Sequence, residues 1–345
     1  MTERSSKTPA ESVVVLSEIV GEENLAGQRM QAGAILDLMD IAAGRTAMAH
    51  SGTPVVTLSF DRVELLQPII HLDLVRMEGR VVQVGNSSMM VCVDVSRQDA
   101  HTREFIPIQR SFITMVAVDA NGRPDKTIPT LRLESDADRA LHAEALEHKR
   151  LAQLWRESQA AAAQRTGLRA DEVEEPENRG KREYLRPAET AVTVRRVFMP
   201  RNMNQLGTIF GGDILIWMDR VAIHTARLFT RNRNVVSLAM NHILFDRPIL
   251  TTDLVEMSAR VTYVRKYTLE VEIAVAVQRM DGTRETSHTG MFTVLNYDDS
   301  GFKRPIVAGL RLEDADQEGL KRYHLARERH RFWREHHAPA SERHR

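Results

Sequence analysis

One stretch of the chain decides its fold, and it runs from Arg201 to Pro248 as RNMNQLGTIFGGDILIWMDRVAIHTARLFTRNRNVVSLAMNHILFDRP. Within it, Asn204 precedes the glycine pair Gly211-Gly212, and an apolar helix follows that carries one acid, Asp219. A glycine pair at a helix start leaves backbone N–H groups free to meet an acceptor. An acid on an otherwise apolar helix needs a partner or a function, because unpaired burial is costly. The combination predicts a site for a carbonyl group at the start of this helix.

The first half of the chain repeats the same pattern. From Val55 the sequence reads VVTLSFDRVELLQPIIHLDLVRMEGRVV, and from Val235, 180 residues later, it reads VVSLAMNHILFDRPILTTDLVEMSARVT. The helix motif repeats as well, in three matching pairs: Asn24 with Asn204, Gly33 with Gly212, and Asp40 with Asp219. A period this long indicates a duplicated domain rather than a solenoid.

Each half predicts the element order β-α-β-β-β-β, in which four strand-like runs follow one helix. One helix packed on an antiparallel sheet is an α+β arrangement. The second-half helix, from Gly212 to Thr230, is apolar on nearly every side at its start, so we expect it to be buried all round. A buried helix wrapped by a curved sheet is the hotdog architecture. Two such domains predict a pseudo-dimeric double hotdog.

The sequence divides into four predicted segments. They are an N-terminal hotdog domain over residues 1–130, a helical charged linker over 131–187, a C-terminal hotdog domain over 188–310, and a charged C-terminal helix with a basic tail over 311–345. The linker is predicted to begin as a helix. Its second part is charged and interrupted by proline, which is typical of an open connection.

The composition is that of a globular protein, since 42% of the 345 residues are hydrophobic and 47 basic side chains balance 47 acidic ones. This balance does not favour nucleic acid as a partner. No apolar run approaches the roughly 18–20 residues of a membrane span, and the first residues lack the apolar core of a signal peptide. Cys92 is the single cysteine, which excludes an internal disulfide and a cysteine zinc cluster. We therefore expect a cytoplasmic protein without a metal site.

These motifs resemble those of the tandem hotdog acyl-CoA thioesterases, which include the mitochondrial acyl-CoA thioesterase type. The resemblance covers about residues 10–130 and 188–310 and is most specific in the second half. The motifs that carry it are Asn204-x-x-Gly207-x-x-x-Gly211-Gly212, Trp217-Met218-Asp219 and Phe245-x-x-Pro248. The family implies hydrolysis of an acyl-CoA thioester to a fatty acid and coenzyme A.

The resemblance also implies a site at the interface of the two halves, where the helix acid of one half faces the asparagine loop of the other. The aspartate would act as general base or nucleophile, and the asparagine would orient water or the carbonyl. Backbone amides at the helix starts would form an oxyanion hole. The implied pairs are Asn204 with Asp40 and Asn24 with Asp219, and the implied amides belong to Gly211, Gly212 and Gly33.

The two implied pockets are not equal. The first-half loop, from Asn24 to Gly33, has one residue more than its copy, and Ala32 replaces the first glycine of the pair. We therefore expect the intact loop to form the better pocket. That pocket combines Asn204 and the second-half glycines with Asp40.

Coenzyme A is expected only as part of the substrate, without a resident cofactor. The family implies contacts to its phosphates or pantetheine at two matching strand starts. The candidate residues there are Ser87, Ser88, Arg265, Lys266 and Thr268, although a plain β-turn explains them equally well. Assembly of three double hotdogs into a homotrimer is also implied.

Two other functions stay open on the same fold. A non-catalytic acyl-CoA or lipid-binding protein would keep the pocket and lose the acids, whereas both acids are present here. A hydratase or dehydratase usually has a catalytic histidine beside the acid, and no Asp-x-Asn-x-x-His run occurs. His242 and His288 fall in predicted strands, where we expect them to be half-exposed.

Overall fold

Two six-stranded antiparallel sheets, one for each half of the chain, form the frame of the protein. The computed structural model describes residues 4–26, 29–65, 67–99 and 102–337. The strands of the first half are β1 (Val14–Ile19), β2 (Val55–Phe60), β3 (Val63–Glu64), β4 (Leu74–Val84), β5 (Ser88–Gln98) and β6 (Phe105–Ala117). Those of the second half are β7 (Val192–Val197), β8 (Val235–Asn241), β9 (Ile243–Leu244), β10 (Leu254–Val264), β11 (Thr268–Gln278) and β12 (Arg284–Asn296).

Helices and short strand pairs complete the fold. The longer helices are α1 (Ala32–Ser51), α2 (Asp136–Ala163), α3 (Gly211–Thr230) and α4 (Gln317–His337). Short parallel pairs join Ser6–Lys7 to Thr130–Leu131 and Glu183–Leu185 to Ala308–Leu310. The remaining elements are the strand pair Leu25–Ala26 and Arg29–Met30, the one-turn helices Ala170–Val173 and Pro176–Arg179, and the 3-10 turns Pro9–Ser12, Glu22–Asn24, Pro187–Thr190 and Pro200–Asn202. Within the described ranges, no helix is long and apolar enough to cross a membrane.

The sheets form because apolar residues alternate along the strands and because helices cover the outer faces. In β11, Val271 and Val275 point into the core and are fully buried. On the other face of β11, Glu270 is also buried, because Arg329 of α4 binds its carboxylate at 2.6 Å. In the first half, α2 covers the outer face through an apolar cluster that includes Phe112.

An exchange of short strands joins the two sheets. The strand order is β9-β2-β6-β5-β4-β1 in one sheet and β7-β10-β11-β12-β8-β3 in the other. Val63 of β3 therefore pairs with Met240 of the second half, and Ile243 of β9 pairs with Phe60 of the first half. Because each half completes the edge of the other's sheet, the two halves are held side by side.

The central helices α1 and α3 lie against each other and run antiparallel. The Gly33 amide at the start of α1 donates to Asp219 in the middle of α3 at 3.0 Å. The Gly212 amide at the start of α3 donates to Asp40 in the middle of α1, also at 3.0 Å. The approach is close, since a Cβ at position 33 would lie 2.7 Å from the Cα of Ile216. Glycine is therefore required at the start of α1 for steric reasons.

The predicted α+β class and double hotdog arrangement are confirmed. The expectation that the second-half helix is buried all round is wrong, because Arg220 and His224 lie on an exposed stripe of α3. The second part of the predicted linker is packed rather than open. There, the fully buried Asn178 side chain bonds both the amide and the carbonyl of Leu310. The basic tail beyond residue 337 lies outside the described residues.

Replacement of Gly33 by alanine is expected to destabilise the fold, because the new methyl group would press against the backbone of α3. We expect Gly33→Ala to lower the free energy of unfolding by about 1–3 kcal/mol. Gly44 in α1 is the matched control, because a Cβ there would meet only Met115 at an ordinary 3.7 Å. Gly44→Ala should raise stability by up to about 1 kcal/mol through helix propensity. Urea unfolding followed by circular dichroism measures both, and equal effects would contradict the close helix contact.

Candidate active site

The Asp40 carboxylate joins the two halves of the chain at the start of α3. Its side chain is fully buried. Oδ1 accepts a hydrogen bond from the Thr57 hydroxyl at 2.6 Å, and Oδ2 accepts one from the Gly212 amide at 3.0 Å. The carboxylate therefore has fixed partners from β2 of its own half and from α3 of the other half.

The proton affinity of this carboxyl group is unusual for an aspartate. Burial raises the pKa of Asp40 to about 7, although the hydrogen bond from Thr57 opposes the rise. The carboxylate of Asp37, one helical turn earlier, raises the pKa further, and the Gly212 amide lowers it. Burial also raises the pKa of Asp37 itself, to about 6. Asp40 can therefore exchange a proton near neutral pH.

The glycine pair at the start of α3 makes room for these two acids. A Cβ at Gly212 would lie 1.9 Å from Oδ1 of Asp37, and one at Gly211 would lie 2.9 Å from Oδ2 of Asp40. The prediction that both amides are free is therefore wrong for Gly212, because Asp40 already accepts its hydrogen bond. Among the described residues, the Gly211 amide has no acceptor, and Gly211 lines the adjoining cavity.

A cavity of about 870 Å³ lies against these groups, and both halves of the chain line it. The first half contributes residues of α1, β2 and β6, and the second half contributes the Asn204 loop, the start of α3, the segment after β9, and β12. The lining residues that matter most below are Asp40, Thr57, Asn204, Gly211, Phe245 and His288. The predicted partners Asn204 and Asp40 thus share one cavity across the interface.

The Asn204 side chain holds the shape of its own loop. Its Oδ1 accepts hydrogen bonds from the amides of Leu206 at 2.9 Å and Thr208 at 3.2 Å, and its Nδ2 donates to the Thr208 hydroxyl at 2.8 Å. A carboxamide nitrogen has two protons, so one donor remains for a ligand. No hydrogen bond joins Asn204 directly to Asp40 within the described part of the chain.

The second acid repeats the first arrangement in part. Asp219 is buried, and it accepts hydrogen bonds from the Ser237 hydroxyl at 2.6 Å and the Gly33 amide at 3.0 Å. Burial raises the pKa of Asp219 as well. Asn24, its predicted partner, donates instead to Glu18 at 3.1 Å, and no bond to Asp219 is present in the described ranges. Gly27 of the first-half motif lies outside the described residues.

The second half has larger side chains at positions that match parts of the cavity wall. The repeat offset of 179 matches Gly44 and Val118, which line the cavity, with Ile223 and Tyr297. The Arg29 guanidinium, from the longer first-half loop, lies 5.3 Å from the centre of the Tyr297 ring. The repeat therefore has larger residues at two positions whose counterparts line the Asp40 cavity.

The predicted coenzyme A contacts lie away from the cavity. Three of them lie in the turns between β4 and β5 and between β10 and β11, namely Ser87, Arg265 and Lys266, whereas Ser88 and Thr268 are the first residues of β5 and β11. None of the five is part of the cavity lining. Glu177 accepts a hydrogen bond from the Lys266 amide at 2.6 Å and pairs with Arg265 at 3.4 Å. The structure therefore does not bring these residues to Asp40.

Sequence reasoning missed several residues of the cavity and its surroundings. Thr57 could have been found, because it aligns with Ser237 in the duplicated strand and both hydroxyls bind the helix acids. Arg45 and Asp37 are not part of the repeated motif, so the sequence did not indicate a role for them. The expectation that His288 is half-exposed is wrong, because the residue is 3% exposed and lines the cavity. His288 lies inside β12, which begins at Arg284.

Comparison with known proteins gives one consistent result. A family model described as the thioesterase superfamily matches residues 30–103 and 206–280. Acyl-coenzyme A thioesterase 11 of Mus musculus is 26% identical over 302 residues, which cover 85% of this chain and 48% of that protein. An uncharacterized acyl-CoA thioester hydrolase of Bacillus subtilis is 36% identical over 115 residues, or 33% of this chain and 66% of that protein. Another, of Zymomonas mobilis, is 34% identical over 113 residues, or 32% of this chain and 76% of that protein. The chain spans about half the length of the mouse relative.

Removal of the Thr57 hydroxyl is expected to raise the pKa of Asp40 above that of the wild type, because the hydroxyl donates to the ionised form. The check is a carbon-13 titration of the aspartate carboxyl groups in Thr57→Val, with Asp40→Asn used to assign the signal. Ser237→Ala is the matched control, since it alters the partner of Asp219 and should leave the Asp40 titration in place. An unchanged Asp40 pKa in Thr57→Val would contradict the assigned hydrogen bond.

Proposed function

Since the chain belongs to the thioesterase superfamily, we propose that it is an acyl-CoA thioesterase, which hydrolyses an acyl-CoA ester to a fatty acid and coenzyme A. The observation that carries the proposal is the Asp40 carboxyl group, which lines a cavity of about 870 Å³ and has a pKa of about 7. A carboxyl group that titrates near neutrality suits general-base catalysis. The cavity is of the size class that holds small-molecule ligands.

The proposed reaction has two steps beside the start of α3, the addition of water to the thioester and the loss of the coenzyme A thiolate. Ionised Asp40 takes a proton from a water molecule, and the water oxygen bonds to the thioester carbon. The carbonyl oxygen gains negative charge and accepts a hydrogen bond from the Gly211 amide, which the positive end of the helix dipole strengthens. The carbon–sulfur bond then breaks, and the thiolate of coenzyme A leaves and takes up a proton. The Nδ2 group of Asn204 orients the water or the carbonyl.

Asp40 serves better as a base than as a nucleophile. Thr57 holds one carboxylate oxygen and the Gly212 amide holds the other, and both bonds fix the group in place. A nucleophilic oxygen would become the bridging oxygen of an anhydride, which is a weaker acceptor, so its hydrogen bond from Thr57 or Gly212 would weaken. A base needs only a remaining lone pair of one oxygen.

Arg45 is the residue in the cavity lining that we assign to the phosphates of coenzyme A. It lies on α1 beyond Asp40, its side chain is exposed, and it has no ion pair within the described part of the chain. The turns with Ser88 and Lys266 remain candidate contacts for the part of coenzyme A that extends beyond the cavity. We propose no resident cofactor, because water and the two carboxyl states of Asp40 supply the chemistry.

The pocket beside Asp219 is proposed to contribute less, because Tyr297 and Ile223 fill its walls and Asn24 binds Glu18. A homotrimer of double hotdogs and a cytoplasmic location complete the proposal, and both rest on the expectations from sequence.

Asp40→Asn is expected to lower turnover by about 10²–10⁴-fold, because the variant has no proton acceptor at the reacting water. Asp219→Asn should cost much less. The assay is release of the coenzyme A thiol from a panel of acyl-CoA esters, detected with a thiol reagent. Cys92 adds little background, because it is buried. Equal losses in the two variants would refute the preference for the Asp40 pocket, and binding without thiol release would favour a non-catalytic binding protein.

Activity and stability are expected to change in opposite directions with pH. Activity should rise as the pH passes about 7, because only ionised Asp40 accepts a proton. The pKa of Asp40 is raised above the value of about 3.9 of an unfolded aspartate. Its contribution to stability is therefore full below that unfolded value and is lost as the pH rises through the folded pKa. Profiles of kcat/KM and of the free energy of unfolding check both trends. A flat rate profile around neutrality, or an identical stability profile in Asp40→Asn, would contradict the assignment.

A further inference from the structure

His288 is a buried polar side chain in the wall of the cavity, and its Nδ1 atom has no hydrogen-bond partner among the described residues. The side chain is 3% exposed and its ring packs edge-on against Phe245, with ring centres 4.8 Å apart. Its Nδ1 atom is buried, and no hydrogen bond of ordinary geometry reaches it from the described residues. The backbone of Ser287 raises the pKa of the ring and so opposes the effect of burial. Buried polar groups are nearly always paired, so this histidine requires an explanation.

The duplicated half shows what is missing. The residue that matches His288 in the first half is Gln109, at the same position beside a β-bulge, and its Nε2 donates to the Ser111 hydroxyl. The second half has Gly290 where the first has Ser111. A side chain at Gly290 would meet Met218 at 2.6 Å, so this position holds no polar partner. The second half thus has a polar residue at this position but lacks the neighbouring hydroxyl that binds its counterpart in the first half.

The surroundings of His288 favour an uncharged polar group on an otherwise apolar ligand. Burial lowers the pKa of His288 to about 4, so the ring is neutral near pH 7 and offers one donor and one acceptor. Apolar side chains line the nearby wall, namely Phe210, Ile214, Phe245 and Ile249. A hydrocarbon chain that carries one uncharged oxygen matches this wall better than a plain alkyl chain.

The charges of the cavity lining indicate which part of an acyl-CoA ester reaches His288. Arg45 is exposed and has no ion pair among the described residues, so it can meet the coenzyme A phosphates. Beyond Phe245, Arg247 is already paired with Glu285 at 2.6 Å, and Asp246 is exposed. A polyanion is therefore favoured on the Arg45 side. The acyl chain extends past Asp40 in the other direction, towards Phe245 and the histidine.

We infer that His288 selects acyl-CoA esters whose acyl chain carries a hydroxyl or keto oxygen. This inference rests on the proposed hydrolase function and refines its substrate class. A hydroxyl can donate to the ring or accept from it, and a keto oxygen can accept from its N–H. A plain acyl chain leaves the ring unpaired in a cavity from which the ester has displaced water.

The test compares pairs of esters that differ by one oxygen, for example butyryl-CoA with 3-hydroxybutyryl-CoA and hexanoyl-CoA with 6-hydroxyhexanoyl-CoA. For at least one pair, wild-type kcat/KM should be about 10- to 100-fold higher for the oxygenated ester. In His288→Leu this ratio should fall to about one or below, because the oxygenated ester loses its hydrogen-bond partner. His288→Gln should restore part of the preference, because its carboxamide can form the same hydrogen bonds.

Gln109→Leu is the matched control, since it removes the equivalent polar residue of the other half and should leave the ratio unchanged. A wild type that prefers no oxygenated ester would overturn the inference. A His288→Leu variant that loses plain and oxygenated esters equally would also overturn it, because that result assigns the histidine to the shared pantetheine arm or to stability.

The hydrolase proposal and this inference can fail separately. Thiol release from any ester by the wild type supports the hydrolase, whatever the ratio. If the wild type releases no thiol, the hydrolase fails, and calorimetric binding of the same ester pairs then tests the selection. Tighter binding of the oxygenated ester that is lost in His288→Leu supports the inference, and equal binding overturns it.

Discussion

The hydrogen bond from the Gly212 amide to the Asp40 carboxylate is the constraint on which the rest of the site depends. It joins the start of one central helix to the middle of the other, so it fixes both the helix pair and the position of the acid. It requires glycine at the start of α3, since Asp37 and Asp40 occupy the space of two side chains. It also leaves the neighbouring Gly211 amide, whose residue lines the cavity, without an acceptor among the described residues. The fold and the proposed chemistry therefore depend on neighbouring amides of one helix start, with Gly212 bound to Asp40 and Gly211 left for the substrate.

Duplication gave the chain two copies of this arrangement, and the copies have diverged in what surrounds the acid rather than in the acid itself. Asp219 has the same type of hydroxyl and amide partners as Asp40. At the matching wall positions, however, the second half has Ile223 and Tyr297 in place of Gly44 and Val118, and Arg29 lies against the Tyr297 ring. An acid that binds the helix opposite stabilises the interface with or without a substrate, so both acids keep a structural role. Among the described residues, the large cavity lies beside Asp40.

Much of this arrangement could be predicted from the sequence, because it depends on repeated motifs. The duplication and the helix acids follow from aligned residues, and the pairing of Asn204 with Asp40 across the halves is implied by the resemblance to the thioesterase family. The occupied Gly212 amide could not be predicted, because it depends on how closely two helices approach. The burial of His288 could not be predicted either. It depends on the extension of β12 back to Arg284 and on the bulge beside it, where Val275 pairs with His288 and Ala276 pairs with Thr286.

The central claim is that one functional cavity is built jointly, from Asp40 of the first half and the Asn204 loop and α3 of the second. The most direct test is the binding stoichiometry of a non-hydrolysable thioether analogue of an acyl-CoA, measured by isothermal titration calorimetry on the full chain. We predict one analogue bound per chain, and a large loss of affinity when a bulky side chain replaces Gly44 in the wall of the Asp40 cavity. Two equivalent analogues per chain, or unchanged binding in that variant, would contradict the claim.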